Sequence, residues 1–227
     1  MTAPVRVLLV DDDHLMRAGL RAVLSSDDGI EVVGEAGDGR EAIERAQRMR
    51  PDVVLMDLRM PRLDGVTATR ELLAVAPELK VLVLTTFEED DDIFGSLSAG
   101  ASGFLLKRSR PEELIAGIRT VAAGESLLSP SVTRRVVDRM ARQPVLEAAP
   151  DARLGELTPR ERDVLELVAR GLGNREIAAE LVVEESTVKT HVKRILMKLG
   201  LRDRVQAVIY AYETGLIAPA SSPRAGT

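Results

Sequence analysis

Residues 52–65 read Asp-Val-Val-Leu-Met-Asp-Leu-Arg-Met-Pro-Arg-Leu-Asp-Gly and contain the pattern from which the fold can be inferred. The apolar run ends at Asp57, and a proline and an Asp-Gly pair follow as chain breakers. This pattern predicts a buried strand that delivers a carboxylate to a loop. The first apolar run, residues 5–10, also ends in acids, Asp11-Asp12-Asp13. Two acid-ended strands at one edge of a sheet would form a site for a hard cation and for phosphoryl chemistry.

The first half of the chain alternates short apolar runs with amphipathic stretches. Strands are predicted at residues 5–10, 30–34, 53–57, 81–85 and 103–106. Helices are predicted at residues 14–24, 39–49, 65–76, 91–99 and 111–123. This alternation predicts a doubly wound α/β fold with a five-stranded parallel sheet, whose ligands bind beyond the carboxyl ends of the strands. Thr85 and Lys107 close the last two strands and are therefore expected at the same edge as Asp57.

The second half is predicted to be entirely helical. Leu157-Thr-Pro-Arg-Glu161 is a helix start, with Thr158 as the cap and Glu161 completing a capping box. A second helix is predicted at residues 174–181, capped by Asn174. Two more are predicted at residues 185–200 and 204–215.

A linker and a tail complete the predicted organisation. Residues 128–154 are rich in proline, alanine and charge, and we interpret them as a linker that contains a short helix near residues 130–140. Residues 218–227 are predicted to be a disordered tail.

Composition excludes several classes of function. The 227 residues are 45% hydrophobic and 30% charged, which is ordinary for a globular protein. Since the chain has no cysteine, it forms no disulfide, no thiolate metal site and no cysteine nucleophile. Neither a signal peptide nor an apolar run of membrane-spanning length is visible, so we expect a cytoplasmic protein without a membrane partner.

The net charge of −5 conceals two halves with different charge. Residues 1–128 hold 15 Lys and Arg against 23 Asp and Glu. Residues 186–204, in contrast, hold six basic residues and one acid. An acidic half joined to a half with a local basic stripe predicts two domains, one of which binds a polyanion.

The acid-ended strands suggest a definite chemistry. Clustered carboxylates repel one another unless a cation or a proton intervenes, and Mg²⁺ suits a small open site with oxygen ligands. In such a site an aspartate can attack phosphorus and hold the phosphoryl group. Lys107 would pair with the negative charge, and the Thr85 hydroxyl would contact the phosphoryl oxygens.

About residues 4–125, with these strand ends in this order, resemble the receiver domain of bacterial two-component response regulators, and residues 1–127 are predicted to form that domain. The resemblance implies that Asp57 is the phosphoacceptor and that a sensor histidine kinase is the phosphodonor. It implies that Mg²⁺ is bound by Asp57, by Asp12 directly, by Asp11 through water, and by the backbone carbonyl of Arg59. Asp13 stands where relatives of this subfamily often have histidine.

The resemblance also assigns the residues that respond to phosphorylation. Thr85 and Lys107 would contact the phosphoryl group, and Phe104 would be the aromatic that reorients with Thr85. Taken singly, each has an ordinary explanation, because Lys107 could be a surface lysine and Phe104 a core residue. Suitable residue types at four strand ends in the right order make coincidence a poor explanation.

The predicted helix at residues 185–200 carries a basic outer face. Its apolar stripe consists of Val188, Val192, Ile195, Leu196 and Leu199. The other side carries Lys189, Thr190, Lys193 and Arg194. A short helix, a tight turn and a second helix with a basic face are typical of a helix-turn-helix whose second helix enters the major groove.

Residues 155–217 resemble the LuxR-type (NarL/FixJ) DNA-binding domain through the phrases Leu-Thr-Pro-Arg-Glu, Asn-Arg-Glu-Ile-Ala and Thr-Val-Lys-Thr-His-Val. The resemblance implies that Lys189, Thr190 and Lys193 face base edges. It implies phosphate contacts for Thr187, Arg194 and Arg202. His191 is as well explained by packing as by a DNA contact.

Both resemblances together predict a NarL/FixJ-type response regulator rather than an enzyme. Phosphorylation of Asp57 would alter dimerisation and the binding of double-stranded promoter DNA. A homodimer is expected on DNA, because readers of this size usually occupy two half-sites. RNA polymerase is a further candidate partner.

Two alternatives are left open by the sequence. One is a DNA-binding regulator whose receiver domain answers to a ligand or a protein instead of a phosphoryl group. The other is a Mg²⁺-dependent phosphohydrolase with Asp57 as a covalent nucleophile. The second lacks the usual acid two residues further on, where Arg59 stands.

Overall fold

The computed structural model describes residues 3–86, 89–125, 127 and 151–217. The chain divides into two compact units, Met1–Ser129 and Pro130–Thr227. The predicted short helix near residues 130–140 and the predicted tail at residues 218–227 lie outside the described residues.

The first unit is built on one parallel sheet. Its strands are β1 (Val5–Val10), β2 (Ile30–Ala36), β3 (Val53–Met56), β4 (Lys80–Thr85) and β5 (Gly103–Leu106). They lie in the order β2-β1-β3-β4-β5, and all neighbouring pairs are parallel. The helices are α1 (His14–Leu24), α2 (Gly39–Met49), α3 (Gly65–Val75), α4 (Asp90–Ala99) and α5 (Pro111–Ala122). The predicted doubly wound α/β fold is therefore confirmed.

The strands are apolar along most of their length because helices cover a parallel sheet on both faces. All four residues of β3 are buried. The register pairs Val10 with Met56 and Thr85 with Leu106. The residues that follow β1 and β3 therefore lie side by side, and so do those that end β4 and follow β5.

Aspartates begin three of the helices that follow strands. Asp13, Asp38 and Asp64 are the N-caps of α1, α2 and α3, and each side chain accepts at least one hydrogen bond from a backbone N–H of its helix. Such caps each stabilise a helix by about 1 kcal/mol. They also fix the chain close to the strand ends that carry the candidate site.

The second unit is helical throughout its described part. A short 3-10 helix (Ala152–Glu156) precedes α6 (Pro159–Ala169), α7 (Asn174–Leu181), α8 (Glu185–Leu199) and α9 (Arg204–Glu213). Its core is contributed by all four of these α-helices and includes Val164, Leu165, Ile177, Val188, Ile195, Leu199 and Val208.

The helix starts of this unit confirm one predicted cap and correct another. Thr158 and Glu161 form the predicted capping box, since the Glu161 N–H donates to Thr158 Oγ1 and the Thr158 N–H donates to Glu161 Oε2. The prediction that Asn174 caps α7 is wrong. Gly173 is the N-cap, and Asn174 Oδ1 instead accepts a hydrogen bond from Arg204 at 2.9 Å.

The 3-10 helix begins within the segment interpreted as linker. Leu154 packs against the core of the second unit, and Arg153 donates to the Leu199 carbonyl at 3.0 Å. The division of the chain at residue 155 stays a prediction, and these contacts tie the two residues before it to the helical unit.

Candidate functional site

Acids from two neighbouring strands meet at the carboxyl edge of the sheet. Asp11 follows β1 and Asp57 follows β3, and both are buried, whereas Asp12 is exposed. One carboxylate oxygen from each of these three residues lies within 4.8 Å of the others. The structure thus brings together the three carboxylates that the sequence predicted as metal ligands.

Asp13 has a different role from its two neighbours. Its carboxylate caps α1 by accepting hydrogen bonds from the N–H groups of Leu15 and Met16 at 2.8 and 3.3 Å. Its own N–H donates to Asp11 Oδ1 at 3.0 Å. The third acid of the triplet therefore stabilises the loop that carries the first two.

Lys107 supplies the positive charge of the site. Its Nζ lies 2.6 Å from Asp11 Oδ2 and 2.9 Å from Asp57 Oδ2. Burial raises the pKa of Asp57 above its usual range, although the hydrogen bond from Lys107 opposes this shift. Burial alone would lower the pKa of Lys107, but its bonds to Asp11 and Asp57 raise it, so the lysine stays protonated.

Thr85 and Phe104 occupy the neighbouring strands β4 and β5. Thr85 is buried at the end of β4, and its carbonyl accepts a hydrogen bond from the Lys107 N–H at 2.8 Å. Phe104 pairs in register with Val83 and is only 2% exposed. The reorientation of Phe104 stays a prediction, and its burial means that any movement would repack the core.

The Arg59 side chain points to α4. Its Nη2 lies 2.7 Å from Glu89 Oε2 and 3.1 Å from Asp92 Oδ2. Glu89 is the N-cap of α4, where a negative charge complements the positive end of the helix dipole. The ion pairs with Arg59 were missed, because nothing in the local pattern shows a partner thirty residues away.

Gly65 packs closely against the backbone of Asp57 and Leu58. A Cβ atom at residue 65 would lie 2.0 Å from the Asp57 carbonyl oxygen and 2.8 Å from Leu58 Cα. The Gly65 N–H donates to the Leu58 carbonyl at 2.9 Å. The start of α3 therefore packs directly on the backbone of the candidate phosphoacceptor.

The donor set fits a hard divalent cation. Three carboxylates within 4.8 Å carry more negative charge than Lys107 alone balances, and hard cations such as Mg²⁺ prefer oxygen ligands. The exposed Asp12 leaves the cluster accessible from solvent.

The helix α8 has the two faces that the sequence predicted. Val188, Ile195 and Leu199 are buried in the core of the second unit. The opposite face is exposed and carries Thr187, Lys189, Thr190, Lys193 and Arg194. Arg202, which follows α8, is half-buried. The arrangement presents a basic surface suited to a polyanion.

The turn between α7 and α8 contains a strained, exposed residue. Val182 has φ 54°, a left-handed conformation that is costly for a β-branched residue, and it is 89% exposed. Glu184 is the N-cap of α8 and makes no capping hydrogen bond through its side chain. His191 is half-buried on α8 and its Nδ1 is enclosed, which favours the packing role.

Among the described residues, no helix is both long and apolar enough to cross a membrane.

Comparison with known proteins identifies both units. Residues 7–119 match the family model of the response regulator receiver domain, and residues 155–211 match that of the bacterial regulatory proteins of the luxR family. Over 214 residues the chain is 42% identical to the uncharacterized transcriptional regulatory protein YxjL of Bacillus subtilis strain 168, covering 94% of this chain and 97% of that one. Over 213 residues it is 41% identical to the response regulator protein VraR of Staphylococcus aureus strain Mu3, covering 94% and 99%.

A solved complex shows the same fold on DNA. The response regulator RcsB in its DNA complex has a TM-score of 0.56 and 26% identity, covering 92% of this chain and 98% of that one. The fold and the matches define a two-component response regulator, with a receiver domain and a helix-turn-helix domain. The chain belongs to the LuxR family of these regulators, which are phosphorylation-controlled, DNA-binding transcription regulators.

Proposed function

We propose that Asp57 accepts a phosphoryl group from a sensor histidine kinase and that this modification controls promoter binding by the helix-turn-helix domain. The observation that carries the proposal is the buried Asp57 carboxylate, which Lys107 joins to Asp11 beside a third, exposed acid. Carboxylates this close repel one another unless a cation or a proton intervenes, which suits a site for a divalent cation and a phosphoryl group.

The Asp57 carboxylate would act as the nucleophile. One of its oxygens forms a bond to phosphorus while the bond from phosphorus to the kinase histidine nitrogen breaks, and the product is an acyl phosphate. Lys107 already lies 2.9 Å from Asp57 and would pair with the phosphoryl oxygens. Asp11, Asp12, Asp57 and the Arg59 carbonyl would hold Mg²⁺, which when bound neutralises charge on the phosphoryl oxygens.

Thr85 and Phe104 would transmit the signal. We propose that the Thr85 hydroxyl contacts the new phosphoryl oxygens and that Phe104 repacks in response. Both residues are buried in adjacent strands, so movement of one displaces its neighbours. The added negative charge would thereby change the receiver surface that governs dimerisation.

The basic face of α8 is the proposed DNA-reading surface. Lys189, Thr190 and Lys193 would contact base edges in the major groove. Thr187, Arg194 and Arg202 would contact phosphates and set the register. Two observations support this proposal. All of these residues except Arg202 lie in α8 and are exposed, and the similar regulator RcsB has been solved in complex with DNA. The active form is proposed to be a homodimer, with RNA polymerase as a further partner.

We propose a cytoplasmic regulator rather than an enzyme with a released product. The phosphohydrolase alternative needs a general acid two residues after the nucleophile. Arg59 stands there, and its guanidinium is bound to Glu89 and Asp92. The phosphoryl group on Asp57 would therefore act as a signal, and the chain is expected not to turn over small phosphate esters.

A comparison of wild type with Asp57→Asn tests the proposal. After treatment with acetyl phosphate and Mg²⁺, wild type is expected to gain dimers in sedimentation and to bind a random-sequence duplex DNA pool at least about tenfold more tightly, because one tenfold step needs only about 1.4 kcal/mol of coupling. Asp57→Asn is expected to show neither response, since an amide cannot form the acyl phosphate.

Asp52→Asn is the matched control, because Asp52 lies at the opposite end of β3. Its carboxylate accepts a hydrogen bond from the Arg6 N–H at 2.8 Å. This variant should respond as wild type does. If Asp57→Asn still gains dimers and DNA affinity after phosphodonor treatment, the proposal is overturned. If wild type regulates its DNA binding without being phosphorylated, the ligand-responsive alternative is favoured.

A further inference from the structure

Arg17, in α1, connects three parts of the fold that surround the acid cluster. Its Nη1 donates to the backbone carbonyl oxygen of Asp11 at 2.6 Å, and its Nε donates to Glu35 Oε2 at 3.1 Å. Glu35 lies in β2 and pairs in register with Leu9 of β1. The Arg17 side chain is 14% exposed. One guanidinium therefore joins α1 to the ends of β1 and β2.

The oxygen that Arg17 binds belongs to the peptide group between Asp11 and Asp12. A peptide group is planar, so fixing its oxygen also fixes the nitrogen of Asp12. On either side of this group the chain is bonded, because the Asp11 N–H donates to the Ala36 carbonyl at 3.1 Å and the Asp13 N–H donates to Asp11 Oδ1 at 3.0 Å. Rotation of this one peptide plane would swing the Asp12 side chain, and Arg17 opposes that rotation.

Glu35 anchors Arg17 in this position. One of its carboxylate oxygens accepts from Arg17, and the other accepts from Arg21 Nε at 2.6 Å. Burial alone would raise the pKa of Glu35, but the hydrogen bonds from Arg21 and Arg17 lower it, so the carboxylate stays charged. The Glu35 charge also balances the positive charge that Arg17 brings toward the acid cluster.

We infer that Arg17 is a positioning residue for the divalent-cation site, which holds the Asp11–Asp12 peptide in the orientation that directs both carboxylates toward Asp57. The inference rests on the proposed metal site at these three acids. Groups that orient metal ligands without touching the ion typically change metal affinity about 10–100-fold when they are replaced. Arg17 acts in this way, through the carbonyl of one ligand residue.

Charge and geometry make opposite predictions for Arg17. Loss of a positive charge near a cation site strengthens cation binding, whereas release of the peptide group weakens it. Arg17→Lys separates the two effects, because lysine keeps the charge but lacks the planar fork that spans the Asp11 carbonyl and Glu35. Arg21→Lys is the matched control, since the bond from Arg21 to Glu35 does not involve the Asp11 carbonyl.

Calorimetric titration of the full, unphosphorylated chain with Mg²⁺ alone tests the inference. The Kd for Mg²⁺ is expected to rise about tenfold or more in Arg17→Lys and to change less than about twofold in Arg21→Lys. The amide resonance of Asp12 should shift before Mg²⁺ is added in the first variant and not in the second. A purely structural role would lower the free energy of unfolding and leave the Kd of the folded protein unchanged.

The outcomes separate this inference from the proposed function. If wild type binds Mg²⁺ and Arg17→Lys binds it equally well, the positioning role is wrong and the metal site stands. If wild type binds no Mg²⁺, the metal site falls and the positioning role falls with it. Should Arg17→Lys fail to fold, Glu35→Gln keeps Arg17 and weakens its anchor, and an unchanged Kd in that variant also overturns the inference.

Discussion

Asp57 and Lys107 show how single residues prepare the proposed chemistry. Burial raises the pKa of the Asp57 carboxyl, and the hydrogen bond from Lys107 works against that rise. The same lysine also binds Asp11 at 2.6 Å, so one cation bridges two buried acids. A phosphoryl group on Asp57 would offer Lys107 a stronger anionic partner, and the lysine would then exchange a carboxylate for phosphoryl oxygens.

Gly65→Ala is expected to destabilise the receiver unit by about 1–3 kcal/mol or more. The added Cβ would lie 2.0 Å from the Asp57 carbonyl oxygen and 2.9 Å from the Asp57 carbonyl carbon, and backbone atoms cannot move aside as a flexible side chain can. The measurement is urea unfolding of the full chain, in which the midpoint of the transition assigned to the receiver unit is compared between variant and wild type.

Gly19→Ala provides the control for this substitution. Gly19 lies within α1, and a Cβ there meets nothing within 4 Å. Alanine is favoured over glycine in a helix by up to about 1 kcal/mol, so this variant should be as stable as wild type or slightly more stable. Equal unfolding midpoints for Gly65→Ala and Gly19→Ala would show that the packing of α3 on Asp57 is not tight.

Two side-chain contacts that sequence reasoning missed share one property. Asn174 suits a helix cap by its chemistry, but Arg204, thirty positions later, binds its side-chain oxygen. The Arg59 guanidinium binds Glu89 and Asp92, a contact that leaves the proposed role of its backbone carbonyl as it was. In each case a distant partner decided the side-chain contact, and local pattern carries no information about such partners.

Helix α8 is anchored at its C-terminal half and exposed at the face proposed to bind DNA. Lys198 Nζ lies 2.7 Å from Glu161 Oε2 and 3.0 Å from the Glu156 carbonyl. Arg153 donates to the Leu199 carbonyl and lies 5.1 Å from the centroid of the Tyr210 ring. The bonds of α8 to α6 and to the 3-10 helix therefore set the orientation of its basic face.

Glu161→Gln is expected to destabilise the helical unit by about 1–3 kcal/mol at pH 7, because it removes a charge-assisted bond to Lys198. Burial alone would raise the pKa of Glu161, but Lys198 and the Thr158 N–H lower it from 4.5 to about 2. Below pH 4.5 the unfolded chain thus binds more protons, and the contribution of Glu161 is lost as pH falls toward 2. The difference in unfolding free energy between wild type and variant should shrink over this window.

Glu166→Gln is the control on the same helix. Its partner Arg170 lies 3.7 Å away, and both side chains are at least 36% exposed. Exposed pairs contribute about 0–1 kcal/mol, so this variant should unfold nearly as wild type does across the same pH range. A wild-type advantage over Glu161→Gln that stays constant down to pH 2 would contradict the assigned cause.

In the whole molecule, the two units carry opposite charges at their proposed binding sites. The receiver unit holds the acid cluster, and the helical unit presents the exposed basic face of α8. Arg194→Gln is expected to weaken DNA binding uniformly across sequences. It should reduce the slope of log K against log salt concentration by about 0.9, the value for one phosphate contact. Titrations with duplex DNA at several salt concentrations measure this slope.

Arg70→Gln makes the same change in net charge on α3 of the receiver unit, where the side chain is exposed. Its salt slope is expected to equal that of wild type. If both variants lower the slope alike, overall charge rather than a local phosphate contact explains the effect. If Arg194→Gln instead alters sequence preference, Arg194 contacts a base edge.

Much of the fold could be read from the order of apolar runs. The boundaries of β1, β5, α1, α2 and α7 agree with prediction, because periodicity and caps are local properties. Since the carboxyl ends of parallel strands share an edge, the convergence of Asp11, Asp57 and Lys107 also followed from strand order. The pairing of Lys107 with the acids was expected as well, but the particular oxygen atoms that each side chain binds could not be predicted in this way.

Four features follow from the amino-acid pattern alone, namely the two-unit organisation, the doubly wound sheet, the residues at its carboxyl edge and the two faces of α8. Three contacts emerge only in the folded protein: Asp13 caps α1, Lys107 bridges two acids, and Arg17 binds the Asp11 carbonyl. The difference arises from the range of the interactions. Hydrophobic periodicity involves residues that are near one another in sequence, so it can be recognised in the chain itself. A hydrogen bond to one particular oxygen depends on rotamers and on strands that meet only after folding.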